Sequence, residues 1–255
     1  MRSLDRAASR TNGSRTIGSS LRRVGAGCAV TGSLAAGIGN LLHPVTPRHD
    51  PAGVARVIAD SGTWTVIHLV ILVGLLLMVA GLAAIGVAIV GPSSTGALAR
   101  LAVSAAVLGA GFGAITLVLD GVAAKQLADT WSGNPSEVTL NAAIANETVN
   151  FALAGLFNLV FAGVAYLLLG CAMVGSANFR PWIGRVAIVA GTFSILAGGY
   201  QLVSGRPTTA SLVLTIIGPT VITLWTMLVG VLIWRRGSDP EPDVSAVAAA
   251  RPPAP

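Results

Sequence analysis

The side chains able to do chemistry in this chain are few, and most sit at the edge of a long apolar run. His68 follows Trp64 by one helical turn and leads directly into an apolar stretch; His43 precedes Pro44 at the end of another. Asp120 stands one turn beyond Thr116 and immediately before Gly121. Glu147, Asn150 and Asn158 recur at helical spacing and form one polar stripe. Tyr200 and Gln201 close a further run. Ionisable and amide groups are costly in hydrocarbon, so such residues face neighbouring helices or a watery cavity, and they are the natural candidates for function.

Imidazoles and carboxylates gathered at one place can bind a divalent metal or relay protons. The residues that would form such a metal set are His43, His68, Asp120 and Glu147. A broader ligand pocket would draw on His68, Asp120, Glu147, Asn150, Asn158 and Gln201. His43 and His68 are also the intramembrane candidates for axial haem ligands, which limits that reading to a single haem. The competing reading makes the same residues interhelical hydrogen-bonding groups with no ligand. No cofactor is indicated by motif, because H-E-x-x-H and C-x-x-C are both absent. A P-loop, a dinucleotide glycine fingerprint and a G-x-S-x-G elbow are absent too, which points away from an ATP-driven pump or a classical hydrolase and leaves an enzyme the weaker expectation.

The elements that must position these residues are transmembrane helices. Hydrophobic residues make up 53% of the chain and charged ones 10%, and the apolar residues come in blocks of about 20, the length a helix needs to cross a bilayer. The blocks predict spans over Val24–Leu42, Thr65–Val90, Leu98–Leu119, Asn150–Val174, Ile183–Val203 and Leu212–Trp234. The expected fold is thus all-α, a polytopic six-transmembrane-helix bundle. The net charge of +6 comes from arginines that flank the spans. That placement fits positive-inside anchoring and contact with anionic lipid headgroups, and excludes a nucleic-acid surface. With the N-terminus inside, the cytoplasmic segments hold twelve of the sixteen basic residues, leaving Arg48, Arg56, Lys125 and Arg206 outside. Both termini are therefore expected in the cytoplasm, and the polar residues named above at the outward face.

Residues 1–23 read as a basic cytoplasmic tail without structure, 24–234 as the membrane domain, and 235–255 as an acidic, proline-containing cytoplasmic tail. The first apolar block has no A-x-A site after it and reads as a retained anchor. Between the third and fourth spans, 121–149 predicts an extracytoplasmic helical hairpin with Asn134-Pro135 at its tip and Ser136 as an N-cap. Gly218-Pro219 predicts a kink in the last span. Gly109 and Gly113 form a small-xxx-small pair suited to close packing, within the chain or in a homo-oligomer or other membrane partner.

Arginine outnumbers lysine fifteen to one, and Ala, Gly and Val are abundant. In length and composition the chain resembles the uncharacterised small multi-spanning membrane proteins of actinobacteria. That resemblance implies a bacterial plasma membrane and carries no active site with it. The functional expectation is a small-ligand or ion binding, transport, sensor or accessory protein with an outward-facing polar pocket. A membrane-embedded metal- or haem-dependent enzyme and a structural partner subunit are the alternatives.

Overall fold

The computed structural model describes residues 2–47, 49–205 and 208–236. Arg48, Arg206 and the C-terminal segment 237–255, including the acidic tail, lie outside the described residues. The order of elements is α1 (Arg2–Leu42), α2 (Pro51–Asp60), α3 (Trp64–Ala88), α4 (Ser93–Val118), a π-helical turn π1 (Leu119–Ala124), α5 (Lys125–Gly133), α6 (Glu137–Phe157), a second π-helical segment π2 (Asn158–Ala165), α7 (Tyr166–Val174), α8 (Pro181–Ser204) and α9 (Thr209–Arg236). There is no strand among the described residues.

Six helices are long and apolar enough to cross a membrane: Ser20–Leu42, Trp64–Ala88, Ser93–Gly133, Glu137–Val174, Pro181–Ser204 and Val213–Arg236. The chain is a multi-pass membrane protein, a six-helix bundle. Its outer surface explains why: Val66, Leu69, Val73 and Leu76 on α3, Leu101, Leu108 and Ile115 on α4, and Val189, Phe193 and Leu196 on α8 are all exposed. Water would not tolerate so continuous an apolar belt, whereas lipid does.

Without a hydrophobic drive between helices, close packing holds the bundle together. The seam between the α6–π2–α7 rod and α8 shows the means. Glycines meet there in three rungs, Gly155 with Gly198, Gly163 with Gly191 and Gly170 with Gly184, and a methyl group on any of the α8 partners would lie within 2.8 Å of a facing main-chain oxygen. Bulky side chains then fill the interior between rods, with Phe161, Tyr166, Leu169, Trp225 and Val229 buried in one cluster. The polar atoms within this cluster are paired: Tyr166 and Thr226 share a 2.6 Å hydroxyl contact, and Trp225 Nε1 donates to the Ile183 carbonyl at 2.8 Å.

Two features depart from the sequence reading. Residues 2–23, read there as an unstructured tail, continue α1 without a break; a span already nucleated at Ser20 can propagate backwards. The loop after the first span contains the amphipathic helix α2, which the search for 20-residue blocks was too coarse to find. Asp50 caps it by accepting from the Gly53 N–H at 2.8 Å, and Pro51 occupies the first turn.

The helix pair α5–α6 rises past the membrane end of the bundle. The rod Ser93–Gly133 is 41 residues long, about 60 Å at 1.5 Å per residue, twice the hydrocarbon thickness of ~30 Å. Asn134 closes α5, and Ser136 caps α6 in a reciprocal capping box with Thr139. Against this projection α2 lies flat: Ala55 and Ile58 pack on Ala124, Ala128 and Trp64, with Trp131 at the edge. Lys125 Nζ donates to the Ala59 carbonyl at 3.0 Å, placing a cation at the C-terminal end of α2.

Candidate metal centre

The site is built where three segments meet at one end of the bundle: the chain just after α1, the first turns of α3, and π1. The π-helical turn is the organising element. Its wider bonding pattern loosens the helical ladder, and three successive carbonyls turn to donors from other helices. Asn146 Nδ2 donates to the Leu119 carbonyl at 3.2 Å, Trp64 Nε1 to that of Asp120 at 2.7 Å, and Thr65 Oγ1 to that of Gly121 at 2.7 Å. The Asp120 main chain is thereby fixed against α3, and its side chain reaches His68.

Glycine is needed at 121 for a steric reason. A Cβ there would overlap the Cβ of His68 and lie 2.8 Å from its Cγ. We expect Gly121→Ala to displace His68 while leaving the bundle assembled. Its cost should appear as a roughly 10–100-fold loss of metal affinity, the range for disturbed support around a ligand, measured by competition with a chromogenic chelator.

His68 is 2% exposed. Its Nδ1 lies 2.7 Å from the Trp64 carbonyl, and His43 Nδ1 lies 2.9 Å from the Pro44 carbonyl. Carbonyl oxygens only accept, so each Nδ1 carries a proton, and in the neutral ring each Nε2 presents a lone pair. Those lone pairs face the same space. The two Nε2 atoms are 3.3 Å apart, and His68 Nε2 is 3.2 Å from Asp120 Oδ2. Ligand atoms of all three residues lie within 4.8 Å of one another. The rings of His43, His68 and Trp64 pack edge-on or tilted with centroids 4.7 to 5.0 Å apart, which holds the imidazole planes. Burial holds the His43 pKa below the ordinary histidine value despite the opposing pull of Asp120, so its ring is neutral near pH 7.

Three acceptors turned on one another repel unless a cation lies between them. A proton on His68 Nε2 would pair that ring with Asp120 at 3.2 Å, whereas a metal ion would engage all three groups together. Donors at roughly 2.0–2.1 Å from tetrahedral zinc stand about 3.3 Å apart, close to the two separations observed. His43 is outside any helix and is the ligand able to move inward. Hydrogen bonding of the non-ligating nitrogen to a carbonyl is also the usual support for a metal-bound histidine.

No protein-family model, curated protein or solved structure matches the chain.

The residues named from the sequence separate into groups. His43, His68 and Asp120 come together. Glu147 does not join them: its side chain is exposed on α6 and bonds to Asn150. Asn150 is buried with its Oδ1 unpaired. Asn158 and Gln201 form a separate buried pair between π2 and α8, with Nδ2 donating to Oε1 at 2.6 Å. The supporting residues Trp64, Thr65, Gly121 and Asn146 were not singled out as ligand supports from sequence. Only the Trp64–His68 and Asp120–Gly121 spacings hinted at any of them, since a π-turn has no distinctive composition.

Proposed function

We propose that this protein binds a zinc-class divalent ion through His43 Nε2, His68 Nε2 and an Asp120 carboxylate oxygen at the outward face of the membrane. The observation that carries the reading is the commitment of both Nδ1 atoms to main-chain carbonyls, which turns both Nε2 atoms into one space beside a carboxylate. Three protein ligands leave a fourth position for water or an incoming ligand. Such a site exchanges its ion more readily than a closed four-ligand structural site, which suits capture and release, as in a carrier or sensor.

The outward assignment rests on charge. Arg22, Arg23, Arg180, Arg235 and Arg236 lie at the end of the bundle where Gly27 packs near Trp234 and Arg236 bonds to the Asn178 carbonyl. The metal site lies at the other end, where the described cations are Arg56 and Lys125. By the positive-inside rule the arginine-rich end is cytoplasmic, in a bacterial plasma membrane, with both termini inside.

The test is zinc titration of purified, chelator-stripped protein, followed by bound-metal analysis and thermal stability. One zinc per chain and a rise in melting temperature are expected, and both should be lost in a His43→Ala, Asp120→Asn double variant that still elutes as the folded species. Zinc binding that survives in that variant would refute the site. For the orientation, a reporter inserted at Pro135 should be active only if it functions outside the cytoplasm.

A further inference from the structure

Among the described residues, one groove on the lipid-facing surface has an apolar wall that the stem of an arginine closes at one end. It lies between α8 and α9, has a volume of 340 Å³, and is lined by Arg185, Val189, Ala190, Phe193, Ile217 and Val221, among others. Arg185 is its one charged lining residue and is exposed. Trp182, half exposed one turn earlier on α8, marks the level at which an amphipathic ring prefers the headgroup region. From Arg185 to Phe193 the groove runs about 12 Å along α8, within the ~15 Å depth of one leaflet. At the same end of the bundle stand Arg180, Arg235 and Arg236.

We propose that this groove is a specific site for an anionic phospholipid, with one acyl chain in the apolar channel and the headgroup phosphate on the Arg185 guanidinium. The argument is one of complementarity. A guanidinium offers forked donors matched to phosphate, and its aliphatic stem can lie along the channel while its head stays at the interface. Ile217 and Val189 are exposed beside it, so the channel wall is one that only acyl chain or another apolar surface would cover. A zwitterionic lipid brings its own headgroup cation beside its phosphodiester, whereas an anionic phospholipid leaves the phosphate charge to the guanidinium alone.

The test compares purified wild type with Arg185→Gln, Ile217→Trp and the control Arg180→Gln, in nanodiscs of phosphatidylcholine with increasing phosphatidylglycerol. Native mass spectrometry reads retained lipid, and thermal melting reads stabilisation. Wild type and the Arg180 control should retain one phosphatidylglycerol in preference to phosphatidylcholine. Arg185→Gln should lose about tenfold of that preference, as expected for one charge-assisted contact. Ile217→Trp, which narrows the channel and leaves the charge, should lose bound lipid of either class. Equal phosphatidylglycerol retention by wild type and Arg185→Gln would overturn the proposal. So would efficient cross-linking of Ile217→Cys to the same position in a second copy, since the groove would then be covered by protein.

Discussion

His68→Ala should abolish zinc retention while the protein still folds as a six-helix bundle. The two outcomes are separable because His68 is bound to its neighbours through its ring alone. Removing it deletes the central ligand, whose Nε2 faces both His43 and Asp120, so the loss should exceed the ~10–100-fold expected of a disturbed supporting residue. The Trp64 carbonyl it leaves is also the helical acceptor for the residue one turn on, and Asp120 is about a quarter exposed and can be solvated. Stability without metal should therefore fall by about 2–3 kcal/mol, mostly lost packing. The zinc-dependent rise in melting temperature should vanish altogether. Acidification should mimic the variant: both imidazoles must be neutral to ligate, so affinity should fall as pH drops through and below the ordinary histidine range near 6.5. Isothermal titration at pH 7.5 and 5.5 checks the direction, and pH-independent zinc binding would be incompatible with imidazole ligands.

Gly109→Leu should prevent the bundle from assembling. A Cβ at this position on α4 would overlap the Phe161 main-chain nitrogen and stand 2.6 Å from its Cα. The obstacle is backbone inside π2 and cannot rotate away as a flexible side chain could. Phe161 is itself 2% exposed and stacked on Phe157 at 5.1 Å. Overpacking a well-filled site typically costs 1–3 kcal/mol and more where backbone must move; about 3 kcal/mol or more is expected here. Gly111, two residues on, is the matched control. Nothing lies within 4 Å of a Cβ built there, so Gly111→Ala should be neutral or stabilise by up to about 1 kcal/mol through helix propensity. Yield after detergent extraction and the melting temperature report both. Equal behaviour of the two variants would mean that α4 and π2 do not meet as described.

The contrast between these positions shows what the sequence could and could not disclose. Span number was legible, and so were the boundaries to within about five residues except where the third span runs on to Gly133 and the fourth begins at Glu137, because hydrocarbon thickness imposes a length and length is written directly in the apolar blocks. Ser136 was legible for a similar reason, since an N-cap is a local matter of one hydroxyl and the residues after it. The Gly109–Gly113 pair announced close packing but not its partner. The structure supplies Phe161 for the first and Phe157 with Leu75 for the second, all within the chain. The site was half legible. Expense in hydrocarbon singled out His43, His68 and Asp120, yet it singled out Glu147, Asn158 and Gln201 equally, because burial cost carries no information on which helices are neighbours. What sorts them is π1: one changed turn alters the rotation of everything beyond it, and no residue type marks that change. The helix α2 was hidden because ten residues are too few to register against a search for 20-residue spans.

The three proposed ligands belong to segments that meet only through the fold, and His43 is 25 residues from His68 along the chain with α2 between them. An ion held by both therefore ties off a loop whose contents include the whole of α2 and its contacts with α5. Closing such a loop costs entropy that grows slowly with its length, and a bound ion supplies the closure from outside. The concentration of metal in the surroundings would then set how tightly the outermost layer of the protein is laced to the bundle, while the helices within the bilayer stay as they are. Occupancy becomes a change in the texture of the external face, one that a partner touching α2 or the α5–α6 tip could read without touching the ion.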